Sequence, residues 1–137
     1  MDRVFLDANI LFSAAYRPDA GLCRLWGLPD IELVTSAYAV EEARRNLDRS
    51  EQRAALEALL QSVRVLAATP GDPPLTGPIE LAEKDRPILA MAVAARATHL
   101  LTGDVRYFGR YYGQTVAGVR IVPPAAYLRS RGREEGR

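Results

Sequence analysis

Asp7, Glu42, Asp85 and Asp104 lie in four different segments, and three of them stand where an element is expected to begin or end. Asp7 closes the apolar run Val4-Phe5-Leu6, Asp104 follows Leu100-Leu101-Thr102-Gly103, and Asp85 precedes Arg86-Pro87. Carboxylates gathered around one cavity repel one another, so the arrangement is costly unless a cation is bound. Mg²⁺ and Mn²⁺ prefer oxygen ligands and are commonly held by a few carboxylates and waters. With Cys23 and His99 as its sole cysteine and histidine, the chain lacks the material for a Cys/His zinc site or an internal disulfide. An ion in an all-oxygen site can acidify water and offset charge on phosphorus oxygens, which is the chemistry of phosphodiester hydrolysis.

These acids converge only if strands and helices alternate. Val4 to Leu6 reads as a strand covered on both faces, followed by a helix from Ala8 to Tyr16 that buries Ile10, Leu11, Ala14 and Ala15. Gly21 to Leu28 is expected as a short helix and Ile31 to Thr35 as a second strand. Ser36 then caps a helix through Ala37, Val40, Ala43 and Leu47, a helix from Glu51 to Ser62 follows, and Val63 to Ala67 returns as a strand. Thr69 to Pro78, dense in proline and glycine, is a loop. Pro87 suits the first turn of a helix burying Ile88, Leu89, Ala92 and Val93. Thr98 to Thr102 and Val119 to Val122 complete the strands, and Pro123 opens a short helix through Tyr127 and Leu128. The alternation predicts an α/β fold with a mainly parallel sheet, whose ligands collect beyond the carboxyl ends of its strands.

At 137 residues, the chain is long enough for one sizeable core, and residues 1–128 are expected to form one domain, with a charged, disordered tail over 129–137. The formal charge is +1, and all 18 basic residues except Lys84 are arginine, whose planar fork suits phosphate. No apolar stretch reaches membrane-spanning length and no export segment is evident, so a cytoplasmic location without membrane contact is expected.

The sequence resembles the PIN-domain family through Val4-Phe5-Leu6-Asp7-Ala8-Asn9, Glu42-Ala43-Arg44-Arg45-Asn46-Leu47, Lys84-Asp85-Arg86-Pro87-Ile88-Leu89 and Thr102-Gly103-Asp104. The resemblance spans residues 3 to 128 and rests on the order and spacing of these fragments. It implies a three-layer α/β/α sandwich and a Mg²⁺- or Mn²⁺-dependent endoribonuclease, of a kind common among toxins of toxin–antitoxin pairs. By position, Asp7, Glu42, Asp85 and Asp104 would be catalytic acids and metal ligands, with Thr102 holding a metal-bound water. Partners so implied are RNA, an antitoxin protein and a second copy in a homodimer.

Glu41 and Glu42 are adjacent and point about 100° apart on a helix, so one of them faces the site. Glu42 is preferred because it lies nearer the border of the Val40, Ala43 and Leu47 face, and because Leu47 follows it at the family's spacing. Asn9 is expected to shape the strand-to-helix turn, and His99 and Cys23 to be structural. Phe108 is assigned to packing, whereas Tyr111 and Tyr112 are open between packing and base stacking. Arg44, Arg45, Arg86, Arg106 and Arg110 flank the acids and are candidates for phosphate contacts. Two other functions compete: a PIN-like RNA-binding scaffold that does not cleave, and a phosphoryl enzyme with Asp7 as acceptor. Asn9 disfavours the latter, since haloacid-type phosphatases place a second aspartate there.

Overall fold

An uninterrupted Val-Phe-Leu run is stable as a strand only when both faces are covered, and in the computed structural model Val4, Phe5 and Leu6 are all fully buried. The structure describes residues 1–17, 19–67 and 86–135; Asp85 and the loop expected over 69–78 lie outside the described residues. Strand β1 (Asp2–Leu6) leads into α1 (Ala8–Tyr16), a 3-10 turn (Gly21–Gly27), β2 (Ile31–Ser36), α2 (Ala37–Asn46), α3 (Ser50–Leu60) and β3 (Val63–Leu66). Then come α4 (Arg86–Ala94), β4 (His99–Leu101), α5 (Val105–Phe108), β5 (Thr115–Val116), β6 (Val119–Val122) and α6 (Pro124–Glu135).

The described strands form one sheet in the order β3-β2-β1-β4-β6-β5, parallel except for the β5–β6 pair. Its pleat sorts side chains into two cores. Val4, Leu6, Leu33, Leu101 and Val122 pack with α1, α2, α3 and Tyr127 of α6, whereas Phe5, Val34, Leu100 and Ile121 pack with α4 and Phe108 of α5. Register keeps each row coherent, with Phe5 beside Val34 and Leu100, and Leu100 beside Ile121. The result is the expected three-layer α/β/α arrangement.

Two details depart from the sequence reading, and a third refines it. The 105–116 region contains α5 and the short edge strand β5, which joins β6 through Ala117 and Gly118, both at positive φ (52° and 85°). Two left-handed residues between paired Val116 and Val119 make the tight hairpin turn whose twist suits antiparallel strands. Gly21–Gly27, expected as a short helix, is a 3-10 helix. The last helix does not stop near Leu128 but continues to Glu135, so the expected tail is helical that far. The Arg131 guanidinium donates to the Pro29 carbonyl at 2.6 Å, and Tyr127 donates to Asp2 Oδ2 at 2.7 Å, tying this helix to the opposite end of the sheet.

Thr35 fixes the end of β1 that carries the site. Its buried hydroxyl donates to the Leu6 carbonyl at 2.8 Å, immediately before Asp7. Thr35→Val keeps the shape but removes this bond, and urea unfolding should show a loss of about 1–3 kcal/mol with an unchanged slope. An unaltered midpoint would show that packing alone fixes the strand end.

Candidate active site

The sheet order changes direction at β1. From there β2 and β3 extend one way, and β4, β6 and β5 the other. The carboxyl ends of β1 and β4 therefore flank the switch point where open parallel sheets bind ligands. Asp7 directly follows β1; Thr102, Gly103 and Asp104 follow β4. The ladder continues one residue beyond β1, since Asp7 N donates to the Leu101 carbonyl at 3.1 Å.

Asp7 is the N-cap of α1 and only 3% exposed. Its Oδ1 accepts from Ala8 N at 2.7 Å, and its Oδ2 accepts from Thr102 Oγ1 at 2.7 Å and Asn9 Nδ2 at 3.0 Å. A carboxylate has about four acceptor positions, so Oδ1 keeps the spare capacity. Despite three donors, burial pushes the Asp7 pKa above the ordinary carboxylate value, the hydrogen bonds oppose this, and the Glu42 charge raises it further.

Thr102 is fully buried, and its hydroxyl accepts from Asp104 N at 3.1 Å and Asn9 Nδ2 at 3.3 Å while donating to Asp7. One donor and two acceptor positions are thus all used. In this arrangement Thr102 positions Asp7. Asn9 is the residue whose importance the sequence understated: besides its bonds to Asp7 and Thr102, its Oδ1 accepts from Gly103 N at 2.8 Å. It latches the end of β1 to the end of β4.

A cavity of about 380 Å³ opens here, lined by Asp7, Asn9, Phe12, Tyr38, Glu42, Asn46, Ile88 and Asp104, with Ala8 and Ala43. Ile88 comes from the opposite layer to α1 and α2, so the cavity sits over the strand ends. Glu42 faces it from α2, whereas neighbouring Glu41 pairs with Arg44 on the exposed side. Asp104, N-cap of α5, accepts from Tyr107 N at 3.4 Å. Among the described residues no three Asp, Glu, His or Cys side chains form a compact metal-binding group. Even so, the described lining contains three carboxylates, two amide side chains and no basic residue. This set of carboxylate and amide oxygens fits a hard divalent cation.

His99, Tyr112, Arg44 and Arg106 are not among the residues that line the cavity. His99 contacts Thr98 Oγ1 at 2.8 Å and packs edge-on against Tyr127. Tyr112 donates its hydroxyl to the Thr102 carbonyl at 2.9 Å; burial, then the charges of Asp104 and Asp7, raise its pKa. Arg44 is held by Glu41 and by Glu57 at 2.6 Å, and Arg106 lies over the Tyr107 ring. Among the described residues no helix is long and apolar enough to cross a membrane.

The PIN domain family profile matches residues 3–106, and the chain belongs to this family. The structure resembles VapBC2 from Rickettsia felis bound to a DNA fragment from their promoter, with a TM-score of 0.65, 16% identity, and coverage of 88% of this chain and 98% of that one. It also resembles VapBC-1 from nontypeable Haemophilus influenzae, with a TM-score of 0.56, 19% identity, and coverage of 90% and 98% respectively. At such identities the likeness concerns the fold. No curated protein matches the chain in sequence.

Because the folded pKa of Asp7 lies above the ordinary value of 3.8, the folded state holds this proton more tightly than the unfolded state. Its contribution to stability is complete below the unfolded pKa and is lost as pH rises through the folded pKa. In urea titrations without metal, parent stability relative to Asp7→Asn should therefore decline across that acidic window and level off above it. A difference that grows in favour of the parent with rising pH would contradict the assignment.

Proposed function

We propose that this chain is a metal-dependent endoribonuclease, with Asp7, Glu42, Asp104 and Asp85 as its acids and Mg²⁺ or Mn²⁺ as its cofactor. The observation that carries the reading is the convergence of Asp7, Glu42 and Asp104 on one cavity without a basic residue in its described lining. When bound, a divalent cation supplies Lewis-acid chemistry, polarising phosphoryl oxygens and making water more acidic.

The side chains divide the remaining work. Thr102 and Asn9 hold Asp7 so that Oδ1 keeps its spare acceptor capacity for a ligand. Glu42 and Asp104, half-buried rather than sealed, are placed to ligate or to accept the proton of attacking water. Water adds to phosphorus, the bond to one ester oxygen breaks, and the products are a phosphomonoester and a hydroxyl-ended strand.

Both structural neighbours above are VapBC complexes, which supports a toxin role with an antitoxin partner. The second reading, an RNA-binding scaffold that does not cleave, draws support from the lack of a compact three-acid group among the described residues. Cleavage of an RNA panel with Mg²⁺ or Mn²⁺ separates the two. Asp7→Asn, Glu42→Gln and Asp104→Asn should each lower the rate by about a hundredfold or more, corresponding to several kcal/mol of transition-state stabilisation. Glu41→Gln should cleave like the parent. No cleavage by the parent with either metal would favour the scaffold.

A further inference from the structure

The cavity has an aromatic side that its hydrolytic chemistry does not use. Phe12 of α1 and Tyr38 of α2 line it together with Asp7, Glu42 and Asp104. One turn beyond Phe12, Tyr16 stacks on the Phe12 ring, with centroids 5.4 Å apart and planes 25° apart. On the facing helix Tyr38, Glu42 and Asn46 form a row at four-residue spacing. Tyr16 and Tyr38 are 50% and 49% exposed, although Tyr127 is buried and Tyr112 spends its hydroxyl on a backbone carbonyl.

Charge decides what these rings can receive. The described lining holds three acids and no basic residue, and Arg44 on the same helix as Tyr38 is held by Glu41 and Glu57. That described lining offers a polyanionic strand no phosphate contact, whereas the rings beside it offer its bases a surface. Bases can stack on rings only when unpaired, and such stacking is indifferent to sequence because every base has a π-face. We infer that Phe12, Tyr16 and Tyr38 form a stacking subsite for an unpaired nucleobase next to the phosphodiester seated at the acids. This rests on the nuclease reading above.

The test uses fluorescence anisotropy on the full chain with Ca²⁺, comparing a labelled single-stranded oligoribonucleotide, the same strand in a duplex, and an equally long strand without bases. Gels of the same mixtures verify that the strands remain intact. The parent should bind the base-bearing strand about 5- to 150-fold more tightly than the baseless one, as expected for one or more stacked bases. Tyr38→Leu and Tyr16→Leu, both at half-exposed positions, should reduce that ratio strongly while melting at the parent's temperature. An equal ratio in parent and variants would overturn the subsite, as would parent affinities that do not distinguish single strand from duplex. If the variants bind every strand like the parent but lose self-association, the surface is a protein-docking face and the inference fails. Mg²⁺-dependent cleavage, measured in parallel, reports separately on the nuclease reading: loss of the ratio in the variants supports stacking even if no cleavage is found.

Discussion

Asp7 has to remain a carboxylate in a place that favours its neutral form. Burial withdraws water from it and Glu42 adds a like charge, while Ala8, Thr102 and Asn9 each offer a hydrogen bond in opposition. The Thr102 donor is in reach only because β1 and β4 are paired, and Asn9 ties the two strand ends by accepting from Gly103 N. A slip of one residue would exchange the two cores and carry Asp7 away from Thr102. The buried row Phe5, Val34, Leu100 and Ile121, together with the Thr35 bond to Leu6, resists that slip. Much of the sheet can thus be understood as the support for one reluctant charge.

That charge also explains the division of roles around it. Thr102 has no hydrogen-bonding capacity left and acts by holding Asp7, so the site depends on a residue that does not itself face the cavity. The described lining sets three acids together with no basic residue among them. A stable fold would ordinarily avoid this, and departures from local consistency are expected where structure has been traded for function.

The sequence made the ends of elements legible where one residue does a local job. Asp7 and Ser36 cap the helices they precede, the uninterrupted run Val4-Phe5-Leu6 marks β1, and Val119, Ile121 and Val122 mark β6 around the exposed Arg120. The helical phase of Val40, Ala43 and Leu47 was enough to turn Glu42, rather than Glu41, toward the cavity. Asn9 was less legible because its decisive partners come from after β4, far along the chain, and appear only once the parallel sheet is assembled. The β5–β6 hairpin escaped because Ala117 adopts a left-handed conformation that alanine does not advertise, and β5 has only two residues. The last helix outran its expected end because Gly132 and a dense run of charge resemble a tail in composition alone. Asp85 lies outside the described residues, so its place relative to the other acids rests on the family resemblance.

The central claim is that these acids form a cation site before any RNA arrives, and titration of the nucleic-acid-free protein with Mn²⁺, followed by electron paramagnetic resonance, tests it most directly. The account predicts saturable binding that Mg²⁺ displaces and that Asp7→Asn and Asp104→Asn each weaken strongly. Absence of saturable binding by the parent, or equal affinity in the Asp7→Asn protein, would contradict it.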